Sequence, residues 1–71
     1  LRRSDSANAV NFFTKALAKD PKIVEAYYWR GIAYVQQQKM EEAKADMRKV
    51  IELEPSGPNS DKAKKALEQL K

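Results

Sequence analysis

Apolar residues recur along this chain at intervals of three and four in four stretches, and none shows the period-two alternation of a strand. The first stretch, Ala9, Phe12, Phe13, Ala16 and Leu17, predicts a helix over residues 6–19. Ser4 or Ser6 is placed to cap its start, and Asp20-Pro21 closes it because the residue before a proline resists the α region. The second stretch, Val24, Ala26, Tyr27, Trp29, Ile32, Ala33, Tyr34 and Val35, predicts a helix from residue 22 or 23 to 37 with a broad apolar face. Pro21 just before it suits a first helical turn. A polar hinge, Gln36-Gln37-Gln38-Lys39, leads into a third helix over 40–53, with Ala43, Met47, Val50 and Ile51 on one side. Glu54-Pro55-Ser56-Gly57-Pro58 breaks the chain, and Asn59 or Ser60 then caps a last helix to about residue 70. That helix carries a narrow stripe, Ala63, Ala66, Leu67 and Leu70. The expectation is an all-α chain with short connections, so that sequential helices are antiparallel neighbours.

The pattern repeats. Ala9, Phe13, Lys15, Ala16, Leu17, Asp20 and Pro21 return 34 residues later as Ala43, Met47, Lys49, Val50, Ile51, Glu54 and Pro55, and size or charge class is kept at each step. A period of this length marks an α-solenoid, in which one supersecondary unit stacks on the next because it cannot bury its apolar face alone. Gly31 costs a helix interior about 1 kcal/mol relative to alanine. Close approach of a neighbouring helix is the expected reason, with Ala33 and Ala43 helping it settle and Tyr27 and Tyr34 filling the space beside them.

On these residues the chain resembles the tetratricopeptide repeat family, whose unit is a helix–turn–helix. Tyr27 stands where tryptophan is usual, Gly31 and Tyr34 match, Ala43 is the small residue of the second helix, Met47 and Val50 replace phenylalanine and alanine, and Pro55 closes the unit. The resemblance implies one complete repeat over 22–57, preceded over 1–21 by the second helix of another, in a longer array. From the thin apolar stripe and charged surface of the last helix, residues 58–71 read as a capping helix at the C-terminal end of that array, the alternative being a degenerate further repeat. The period fails after Pro55, since Lys65 and Glu68 stand one period after Gly31 and Tyr34. Arg30 replaces the usual leucine, and its stem is expected along the core with its head in water.

Composition narrows the function classes. The chain has 71 residues, 34% of them charged, 42% hydrophobic, and a net charge of +4. It has no cysteine and no histidine, which removes thiolate chemistry, the commonest general base and the commonest transition-metal ligand. No glycine-rich phosphate loop, paired acid–base geometry or metal-ligand spacing is present, so no catalytic, cofactor-binding or metal site is expected. Glu41, Glu42, Asp46, Glu52 and Glu54 read as solvated helix-surface carboxylates. The lysines of the last helix are interleaved with acids, which disfavours nucleic acid as a partner. No run is long enough for a membrane span. Leu1-Arg2-Arg3-Ser4-Asp5 shows no signal peptide and no initiator Met, as expected of a fragment. The compartment is not encoded, with a soluble, cytoplasmic setting slightly favoured.

The resemblance further implies that a partner peptide or helix lies in the concave groove lined by the first helix of each repeat. The groove positions of the complete repeat are Glu25, Tyr28, Trp29, Ile32 and Gln36. One subclass of the family clamps the C-terminal carboxylate of heat-shock chaperones with lysine, asparagine and arginine. Tyr28, Trp29 and Ile32 supply no clamp residue, which disfavours that ligand. Two functions remain in view: a protein–protein interaction scaffold that uses the groove, and a homodimerisation module that pairs through Val10, Phe12 and Phe13 of the first helix.

Overall fold

The computed structural model describes residues 3–70, with side chains from Asp5 onward. The described residues form four helices, α1 (Arg3–Lys19), α2 (Val24–Gln36), α3 (Met40–Leu53) and α4 (Pro58–Gln69). Helix α2 packs against both α1 and α3, α3 packs against α4, and α4 also reaches α2. The all-α solenoid fragment expected from the period is what forms. Its extents of 32 × 30 × 17 Å describe a slab two helices thick. Buried side chains therefore lie in one layer, centred on Leu17, Ala26, Tyr27, Met47, Val50 and Ala63.

The packing of α2 on α3 follows the small residues. A Cβ built on Gly31 would stand 2.8 Å from Met47 Cε, 3.4 Å from the Ala43 carbonyl oxygen and 3.4 Å from Asp46 Cβ. Ala33, Ala43, Met47 and Val50 are fully buried. Tyr27 fills the adjoining space, and its hydroxyl donates to the Pro21 carbonyl at 2.9 Å, which ties the loop before α2 to the helix.

The helix starts differ from expectation in three places. Helix α1 starts earlier than residue 6, so Ser6 lies inside it; it is fully buried and its hydroxyl donates to Gln36 Oε1 at 3.3 Å, joining α1 to α2. Any capping by Ser4 falls outside the described side chains. Helix α2 starts at Val24, slightly later than residue 22 or 23, and Pro21 lies just before it as expected, in a turn where the Asp20 carboxylate accepts from the Lys22 N–H at 3.1 Å. The polar hinge is a Schellman turn, with Lys39 N–H donating to Tyr34 O at 2.8 Å and Gln38 N–H to Val35 O at 2.9 Å. Gln38 takes the left-handed position, φ +62°, that glycine usually fills.

The third difference is at α4. Neither Asn59 nor Ser60 caps it; Gly57 is the N-cap residue and Pro58 opens the helix. The orphan N–H of Asn59 is satisfied from outside, by Glu54 Oε2 at 3.1 Å, and Ser60 donates back to the Gly57 carbonyl at 3.1 Å. Glu54 is thus a capping carboxylate placed at the positive end of α4, not simply a solvated acid.

Asp46 and Arg30 correct the sequence reading most. Asp46 is buried, and Arg30 binds both of its oxygens side-on, Nε to Oδ2 at 2.8 Å and Nη2 to Oδ1 at 2.7 Å. The guanidinium carbon lies 5.6 Å from the Tyr27 ring centroid and 5.7 Å from that of Tyr34, while Nη1 donates to Thr14 Oγ1 at 3.3 Å. The head of Arg30 is therefore largely shielded rather than free in water, because a planar cation finds two ring faces and a matching carboxylate there. The hydrogen bond to Asp46 raises its already high pKa, so it stays charged. One side chain of α2 thereby contacts α1 and α3 together and fixes the rotation of α2 between them.

Candidate partner-binding groove

With α2 held on its far side by Arg30, its opposite face is defined by helical geometry. Residues three and four apart share a face, so Glu25, Tyr28, Trp29, Ile32 and Gln36 point the same way. Their environments nonetheless differ. Glu25 is exposed, Tyr28 and Ile32 are half-buried against the core, and Trp29 is 50% exposed. Gln36 is half-buried and accepts the Ser6 hydroxyl, so it is engaged with α1. The Tyr28 and Trp29 rings meet edge to face, with centroids 5.1 Å apart and planes at 79°. This contact holds a large exposed indole in place without burying it.

Helix α4 supplies the other wall. Tyr28 and Ile32 face Lys62, Lys65, Ala66 and Gln69 across an open cleft of about 260 Å³. Pockets for small molecules typically run to roughly 300–1,000 Å³ and enclose their ligands. An open cleft below that range suits one or two protruding side chains of a macromolecule better. Lys62 Nζ stands 5.9 Å from the Tyr28 ring centroid, within cation–π reach. Of the five expected groove residues, the structure brings Tyr28 and Ile32 together in the cleft and sets Trp29 beside them. Glu25 and Gln36 do not line it.

The sequence reading missed Lys62, Lys65, Ala66 and Gln69, although a signal for two of them was present. Lys62 and Ala66 stand one 34-residue period after Tyr28 and Ile32. The cleft thus lies between equivalent positions of α2 and α4. At the other end of the slab, α1 presents Phe12, 67% exposed and edge to face with Phe13 at 5.3 Å, beside an open depression of about 350 Å³ shared with Lys15, Ala16 and Lys19. No helix of the described residues is long and apolar enough to cross a membrane.

Comparison with known proteins agrees with this architecture. Residues 24–56, spanning α2, its Schellman turn and α3, match the model of the tetratricopeptide repeat. The chain is 41% identical over 56 residues to mouse (Mus musculus) aryl-hydrocarbon-interacting protein-like 1, covering 79% of this chain and 17% of that protein. It is 39% identical over 64 residues to mouse sperm-associated antigen 1, covering 90% of this chain and 7% of that protein. The chain therefore spans about a sixth or less of the length of these curated relatives. No solved structure gives a significant match. The matched stretch is the pair of helices in which Gly31 meets Ala43 and Met47, and by that match residues 24–56 are a tetratricopeptide repeat.

Proposed function

We propose that this chain is a protein–protein interaction module that seats an apolar side chain of a partner peptide or helix against Tyr28 and Ile32, with Trp29 closing over it. Tetratricopeptide repeats serve in general as non-catalytic protein-interaction modules, and the observation that carries the finer reading is the half-exposed Trp29 braced on Tyr28. Braced aromatics expose apolar area with little rotamer freedom left to lose, and such residues dominate interface energetics. In this reading α4 covers the repeat and supplies the second wall, with Lys62, Lys65 and Gln69 placed to orient the partner. Chemical-shift mapping with partner peptides should move the amides of Tyr28, Trp29 and Ile32 most. Shifts confined to α1 or to the outer face of α3 would end the groove reading.

A second reading rests on Phe12. An aromatic ring exposed to this degree beside a depression is the kind of surface through which two copies pair. Sedimentation equilibrium at several concentrations separates the two readings. A dimer abolished by Phe12→Ser would favour self-association through α1, and a strict monomer would remove it.

A further inference from the structure

The two walls of the cleft differ in chemistry. The α2 wall is apolar, formed by Tyr28 and Ile32. The α4 wall adds Lys62 and Lys65, both on exposed residues, and no carboxylate lines the cleft. The ion pairs among the described residues join Arg30 to Asp46, Lys44 to Glu41 and Lys49 to Glu52, so the two cleft lysines keep their charges for another molecule. From this charge asymmetry we infer that the occupant is an internal acidic segment of a partner protein, in which one apolar side chain sits between Tyr28 and Ile32 while a neighbouring aspartate or glutamate bridges Lys62 and Lys65. This inference rests on the groove reading above and specifies its ligand class.

The division of labour follows from magnitudes. The apolar contact, taken out of water against half-buried side chains, supplies most of the affinity. Exposed lysine–carboxylate pairs add little each, but they select partners and speed encounter. Lys62 is the better placed of the two, because its ammonium already sits over the Tyr28 ring and a carboxylate arriving beside that ring meets a held cation. A free C-terminal carboxylate is not required, since side-chain carboxylates satisfy the same two lysines.

The test uses the 71-residue chain and a set of acetylated, amidated peptides. Each carries a central Leu, Phe or Trp, with the flanking positions filled by Asp and Glu, by Ser, or by Lys. Binding is read by fluorescence anisotropy at two salt concentrations. The acidic peptides should bind at least about ten-fold tighter than the lysine-flanked ones, with a preference that shrinks in high salt. Lys62→Glu combined with Lys65→Glu should abolish that preference, whereas Lys64→Glu, exposed on α4 but outside the cleft lining, should keep most of it. Tyr28→Ala should weaken every peptide alike. Equal binding of acidic and serine-flanked peptides, or a preference untouched by the double reversal, overturns the acidic-ligand inference while leaving the groove intact. If binding of any peptide is indifferent to Tyr28→Ala, or no peptide binds, the groove reading falls and this inference falls with it.

Discussion

Replacing Asp46 by alanine removes one half of the only ion pair among the described residues that is largely shielded from water. The side chains of Arg30 and Asp46 retain 18% and 6% of their exposure. Breaking a buried pair from one side costs about 3–5 kcal/mol, because the remaining charge is stranded. After Asp46→Ala, Arg30 still has Thr14 Oγ1, two tyrosine rings and a partial path to solvent, so the expected loss lies lower, at about 2–3 kcal/mol. In a domain of this size that corresponds to a fall in Tm of roughly 10–20 °C. Arg30→Leu is the harsher change. It restores the residue usual in the repeat but leaves a carboxylate whose hydrogen bonds all came from Arg30, and the full 3–5 kcal/mol is expected.

The double variant separates charge stranding from lost packing. Arg30→Leu with Asp46→Ala has no charge left to strand, so its loss should be about 1–2 kcal/mol, smaller than that of the arginine single variant. Urea titrations followed by helical circular dichroism, run in a stabilising osmolyte so that each single variant retains a folded baseline, give all four corners of the cycle. The expected coupling, the sum of the single losses less that of the double variant, is about 3–7 kcal/mol. Single-variant losses that add within about 0.5 kcal/mol would refute the argument, since independent sites behave that way.

Three further outcomes follow from backbone geometry. Gly31→Leu should cost about 1–3 kcal/mol by urea titration, because it presses on the Ala43 carbonyl and Asp46 Cβ, whereas Gly31→Ala should cost less since the flexible end of Met47 can swing aside. Gly57→Ala should cost about 1–3 kcal/mol: φ +141° is a glycine conformation, and the new Cβ would meet Glu54 Oε2 at 2.9 Å and displace the carboxylate that caps α4. Its effect should be less than additive with that of Glu54→Ala, which a thermal-melt cycle reads directly. Gln38→Gly should raise stability by about 0.5–1 kcal/mol, because a side chain in the left-handed position is removed while the Schellman bonds stay, and an unchanged or lower Tm would contradict that.

Periodicity records which positions are apolar, and what it predicted was of that kind. The helix ladder, the contact at Gly31 and the burial of Ala43, Met47 and Val50 follow from spacing alone, since a 3.6-residue period leaves one face to pack. What it could not carry were polar groups satisfied by residues outside the period. Arg30 and Asp46 are 16 positions apart and sit at non-equivalent places in the repeat, so neither predicts the other. Each read as solvated because charged residues usually are. Glu54 was misread for the same reason, its ligand being a backbone N–H in the next helix. The groove stands between these cases. Tyr28, Trp29 and Ile32 came from the resemblance, but the opposing wall needed only the same offset carried one step further, from Tyr28 to Lys62 and from Ile32 to Ala66. Where the period loses its apolar match after Pro55, it still keeps the geometry. A lysine replaces the ring and an alanine the isoleucine, so the surface that repetition builds becomes apolar on one side and cationic on the other. If the proposed groove binds its partner there, an asymmetric cleft of that kind would discriminate between partners that a uniformly apolar groove would accept alike.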